Sequence, residues 1–423
     1  MSSSLHVVLW VSIFAARFLT ATCLAADGPQ PRAEQPDPIL HTNTPLEYID
    51  TSFENASPLW YEIDSAGVVQ IHLNYDHERN SPNRAAGHIH FQLVARTGAK
   101  FTLEFRNLQN IYNGRPGSVA NELKALVVSE DGHHWRSVAT RSLPVGRVLL
   151  DIETPGSKLF VARVEPYRLS DLEALLNSIR RHPLVQITEI GQTVEGRPLE
   201  IIRIGNSEAR HRVFLRARAH PWEAGSNWVL QGLIRRLLRD DEEARKFLRR
   251  CCVYILPMAN KDGVARGRTR FNSNSKDLNR DWDRPAVAQL APENHALEQW
   301  LQKMIQAGQR PDLALELHND GNGLLHLSLP PDPAQSGYLE RMRILENLLR
   351  KHTWFAEGSR KETVRNVGTL ADGWLERYGI DAVVHEFNCQ WSAGLGRPPL
   401  GRDWEQYGEG LARVFDAYFE ARE

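Results

Sequence analysis

The sequence predicts an α/β fold, a mixed and largely parallel sheet flanked by helices, preceded by an antiparallel β-sandwich. Three observations predict it. From about Tyr48 to Pro166 the apolar runs are short, alternating and broken by Gly, Asn, Asp and Pro, as in antiparallel β-structure. Beyond Leu169, strand-like apolar runs alternate with long helical stretches, the pattern of a mainly parallel sheet. The chain's 423 residues also exceed one ordinary small domain, which makes room for both parts.

The elements follow in chain order. Met1–His6 is short and polar, Val7–Leu24 is largely apolar, and the run ends in small residues at Ala25 and Ala26. This predicts a secretory signal peptide over residues 1–26 and a secreted or periplasmic protein. An uncleaved anchor helix competes, at a cost imposed by Arg17; a lipoprotein site at Cys23 is a third reading. Cleavage would leave no stable membrane insertion. Residues 27–44, with several Pro and acidic positions, read as a flexible lead-in. Residues 45–166 form the predicted sandwich, with strands at Val68–Leu73, His88–Val94, Phe101–Phe105, Lys124–Val128 and Lys158–Val164. In residues 167–423, Leu169–His182 has helical spacing, and Leu184–Ile190 and Leu199–Ile204 flank a hairpin turn. Strands at Val213–Ala217, Val253–Pro257, Leu313–Leu317 and Ala382–His385 then alternate with helices at Ser226–Arg249, Pro292–Ala307, Gly337–Lys351 and Thr369–Tyr378. A helix over Trp404–Arg422 closes the chain.

Composition excludes some partners. A formal net charge of -1 gives no sign dominance, so neither nucleic acid nor an anionic membrane surface is indicated. After Cys23 leaves with the signal, Cys251, Cys252 and Cys389 are an odd set with no disulfide framework.

In open α/β sheets, sites form just past the C-terminal strand ends. Four such positions carry polar residues: His220-Pro221-Trp222-Glu223, Asn260-Lys261-Asp262-Gly263, His318 and Glu386. On the opening turn of a helix, His220 and Glu223 would share a face. His318 from a neighbouring strand end makes a third donor, and two imidazoles with a carboxylate form a catalytic zinc pattern. Glu316, two residues before His318, is the alternative carboxylate.

The next segment sharpens this reading. Asn260-Lys261-Asp262-Gly263-Val264, then Gly267-Arg268-Thr269-Arg270 and Asp277-Leu278-Asn279-Arg280, resembles the zinc carboxypeptidase family, with Lys261 where that family usually has proline. His220-Pro221-Trp222-Glu223, Leu315-Glu316-Leu317-His318 and Val384-His385-Glu386-Phe387 match further motifs in the family's order. Phe53-Glu54-Asn55 and Val164-Glu165-Pro166-Tyr167 fit the cytosolic-type branch, which places a β-sandwich before its catalytic domain. The resemblance implies a single zinc ion held by His220, Glu223 and His318, with Asp277 orienting a ligand histidine. It implies Glu386 as general base for the zinc-activated water and Arg270 as the oxyanion partner, with Arg268 the alternative. Asn279 and Arg280 become the clamp on a substrate's terminal carboxylate. The implied activity is hydrolysis of C-terminal peptide bonds, with a peptide or protein C-terminus as substrate. A zinc amidase or deacylase acting on small N-acyl amino acids or cell-wall peptides is the alternative.

The chain departs from the family in two places. No tyrosine lies between Phe355 and Arg377, where members usually carry a capping one, so any cap comes from elsewhere. Gly368-Thr369 is followed by Leu370-Ala371-Asp372, without the arginine that reads an acidic side chain; Asp372 points instead to basic or amino-bearing substrates.

Overall fold

The computed structural model describes residues 44–329, 337–363 and 368–422, so the predicted signal peptide and almost all of the lead-in lie outside the described residues. Eight strands build the sheet of the C-terminal half. In spatial order they are Val185–Gln192, Pro198–Ile204, Cys251–Leu256, His211–Ala217, Leu313–Asp320, Asp381–Asn388, Leu325–Leu329 and Ser359–Thr363. The four middle strands run parallel, with antiparallel neighbours on both sides. Those middle strands are almost wholly buried, with apolar residues at most positions, because helices cover both faces. The helices Gly225–Leu237 and Gly401–Glu420 pack so tightly that a Cβ added at Gly408 would come 1.9 Å from Val229 O.

Two five-stranded sheets and one four-stranded sheet precede this half. The five-stranded pair encloses its own core around Phe91, Leu93, Leu103 and Phe105. Its pairings are antiparallel except one, where Val69–Leu73 runs parallel to Ala99–Arg106. The four-stranded sheet holds Asp76–His77, Arg84–Ala85, Gln109–Tyr112 and Arg115–Ser118.

Several boundaries differ from the sequence reading, for local reasons. The helix expected over Ser226–Arg249 is two, Gly225–Leu237 and Glu242–Arg250. Asp241 starts the second by accepting from Ala244 N at 2.8 Å, a side-chain cap that outcompetes helical continuation. Leu313–Asp320 and Asp381–Asn388 run further than their apolar cores suggest, so His318 and Glu386 lie inside strands and face each other in register. Ladder hydrogen bonds from both neighbours carry the polar residues along.

Candidate active site

The sheet brings the predicted residues together at one mouth. His220-Pro221-Trp222-Glu223 is a turn before the helix Gly225–Leu237, not its first turn as the spacing suggested. The chain reverses there through Arg218, buried at φ 58°, and Glu223 N donates to His220 O at 3.3 Å. That turn aims both side chains at His318. Glu223 Oε1 lies 2.8 Å from His220 Nδ1, and Oε2 lies 2.7 Å from His318 Nδ1. One ligand atom from each residue falls within 4.8 Å of the others. Two imidazole nitrogens and a carboxylate at this spacing are a donor set that suits zinc.

The outward ring nitrogens are also engaged, as metal-binding histidines require. His220 Nε2 sits 3.2 Å from Asp277 Oδ1, and His318 Nε2 is 3.1 Å from Asn279 Nδ2 and 3.4 Å from Glu316 Oε1. Glu316 is otherwise paired with buried Arg216 at 3.1 Å and stays out of the donor cluster. Asp277 Oδ2 accepts from Arg270 Nε at 2.7 Å. Burial would raise Asp277, but Arg270 and Arg280 hold it well below the usual carboxylate range. Burial would likewise raise Glu223, and the two histidines hold it down, at about 2.

Glu386 shares the cavity with His220, Glu223, Arg270, Asn279 and Arg280. Burial, and then the charge of Asp320, push its carboxyl well above the ordinary value. Arg268 instead donates to Asn272 O at 2.8 Å, away from the cavity lining. Asn279 divides its amide between His318 and Leu370 N, which donates to Oδ1 at 2.9 Å. Asp372 also lines the cavity, where its carboxylate accepts from the Ser328 hydroxyl and from Thr369 N at 3.0 Å.

The family model described as zinc carboxypeptidase matches residues 172–332, the stretch holding all three metal-donor residues and both arginines. Over that stretch this chain is similar to the zinc carboxypeptidase family. Cytosolic carboxypeptidase 6 of Caenorhabditis elegans is 34% identical over 128 residues, 29% of this chain and 28% of that protein. An uncharacterised Zymomonas mobilis protein is 26% identical over 234 residues, 53% of this chain and 58% of its own length. The chain therefore spans less than two thirds of these relatives. A crystal structure of a metallo-carboxypeptidase from Burkholderia cenocepacia superposes with a TM-score of 0.76 at 20% identity, covering 89% of this chain and 99% of that one. A metallo-carboxypeptidase from Pseudomonas aeruginosa, in complex with (2-guanidinoethylmercapto)succinic acid, gives 0.74 at 21% identity over 88% and 99%. These likenesses extend the shared fold across the β-rich half.

Several residues lining the cavity escaped sequence reasoning. Tyr112, Glu122 and Arg163 come from the N-terminal β-region, and Asp320, His326 and Ser328 follow His318. Asp320, His326 and Glu386 also offer atoms within 4.8 Å of one another. An Asn113-Gly114 pair signals a tight hairpin in any sequence; nothing in the sequence says that this hairpin reaches the candidate metal site. Among the described residues, no helix is long and apolar enough to cross a membrane.

Proposed function

We propose that the protein is an exported exopeptidase that hydrolyses the C-terminal peptide bond of its substrates with a single zinc ion. One observation carries this reading: two members of the donor cluster, His220 and Glu223, line one cavity with the carboxylate of Glu386 and two arginines. Zinc held by His220, Glu223 and His318 supplies Lewis acidity, which polarises a carbonyl and lowers the pKa of water to about 7. Glu386 takes a proton from the attacking water and returns it to the leaving amine; its raised affinity for protons suits that exchange. Arg270 meets the charge that grows on the carbonyl oxygen. Arg280 grips the terminal carboxylate, which confines cleavage to chain ends. Asp372 at the cavity wall favours an amino-bearing terminal residue over an acidic one.

The test is release of single amino acids from a panel of peptides ending in Lys, Glu or Leu. Release should be sensitive to a chelator and lost in Glu386→Gln by at least about 100-fold, with zinc retained at one equivalent. Cleavage inside the peptides, or full activity in the variant, would sink the reading. Slowest release of Lys would remove the role given to Asp372.

A further inference from the structure

The hairpin Gln109–Tyr112/Arg115–Ser118 belongs to the small sheet of the N-terminal β-region, more than a hundred residues before the first metal motif. Its turn residues Asn113 and Gly114 have φ of 51° and 71°, as a two-residue hairpin turn demands. The tip reaches both arginines of the site. The Tyr112 ring lies against the Arg270 guanidinium, with Cζ 4.9 Å from the ring centroid. Asn113 Oδ1 accepts from Arg280 Nε at 3.3 Å, while Arg280 Nη1 donates to Asn279 O at 2.7 Å.

The hairpin is braced from behind. Buried Asn110 accepts from Ala86 N at 2.7 Å and donates through Nδ2 to the Tyr112 hydroxyl at 2.6 Å, which fixes the ring at its far end. Gly114 N donates to Asn83 Oδ1 at 2.9 Å. Asp76 of the same sheet accepts from Arg270 N at 2.9 Å and Phe271 N at 2.8 Å, so the arginine is held at its backbone as well. A guanidinium over an aromatic face gains about 0.5–2 kcal/mol, and more as it is desolvated. Arg270 is mostly buried, with one edge on Asp277 and one face on Tyr112.

We infer that the tip of this hairpin positions the anion-binding half of the active site, Tyr112 holding Arg270 and Asn113 holding Arg280. The inference rests on the roles proposed above for the two arginines, and it makes those roles separable. Tyr112→Leu removes the aromatic face, so Arg270 meets the transition state less well: kcat and kcat/KM fall together, by about tenfold, and KM barely moves. Tyr112→Phe keeps the face and recovers most of the lost kcat. Asn113→Gly keeps a residue that tolerates positive φ but removes the acceptor, so KM rises several-fold at nearly unchanged kcat. A merely structural hairpin would move both variants the same way, with a matching loss of zinc or of melting temperature.

The experiment is steady-state release of a C-terminal residue by these three variants and the wild type, beside zinc content and thermal melts. Calorimetric binding of a peptide with a free C-terminus, in the Glu386→Gln background, accompanies it. The opposed kcat and KM effects, with zinc and melting temperature preserved, are expected; parallel effects, or none, overturn the inference. If the wild type releases nothing, the proposed function fails separately. Calorimetry then decides for the hairpin: Asn113→Gly must weaken peptide binding, and an unchanged affinity overturns it.

Discussion

Asp277 shows how much one side chain can hold together. One of its oxygens faces His220 and the other accepts from Arg270, so a single carboxylate orients a metal donor and the cation beside it. Asp277→Asn keeps the size but presents an NH2 to one of these partners. We expect zinc affinity to fall by about 10–100-fold, read by competition with a chelator, and kcat to fall further than zinc loss explains. Unchanged zinc affinity would show that His220 needs no such anchor. The placement of Asp277 beside a histidine was legible in the sequence only through its motif. Spacing alone does not say which of two histidines a carboxylate will face, and Glu316, closer in sequence to His318, divides between that histidine and Arg216.

At the scale of elements, the helix Pro292–Gln306 carries a pH dependence in its first turn. Proline at the first position and an acidic residue after it are ordinary helix-start chemistry. Yet Glu293 is buried, and burial pushes its carboxyl from 4.5 up to about 7. The folded state therefore holds the proton more tightly than the unfolded chain. This contribution is complete below pH of about 4.5 and is lost as pH rises through about 7, for roughly 3 kcal/mol at most. Glu293→Gln, which keeps the Asn272 contact site, should flatten that part of the stability curve between pH 5 and 8. Identical pH slopes in denaturant melts of both proteins would refute the assignment. Strand and helix types were legible because their apolar periods are strong; the helix break before Glu242 was not, since Asp241 acts as a cap only when the chain has already turned.

At the scale of the whole molecule, the β-region is welded to the C-terminal half by buried and part-buried polar contacts. Asn55 Nδ2 donates to Val264 O at 2.9 Å, and Glu54 Oε1 accepts from Leu169 N at 2.6 Å at the start of a helix. Arg163 reaches Glu122 at 2.7 Å and lies 3.6 Å from the centroid of the Trp222 ring, next to the metal turn. At Gly267, φ 62°, an added Cβ would come 1.8 Å from Ala56 O. Residues 167–423 produced alone would expose these groups unpaired, so we expect them to aggregate or to bind zinc weakly. A soluble, zinc-replete and active fragment would contradict this.

What the sequence determined by itself was the alternation of elements and a set of candidate chemistry-bearing residues, because hydrophobic period and side-chain type are local properties. The donors His220, Glu223 and His318, the glutamate Glu386 and the arginines were all named from motifs and strand ends. The tertiary structure decided their partners. It brought Arg270 rather than Arg268 to the cavity, turned Asn279 partly onto His318, and set Tyr112 and Asn113 from a distant hairpin against the two arginines. Such contacts join residues far apart in the chain, and they are fixed by sheet register and by packing between layers, to which no stretch of sequence refers.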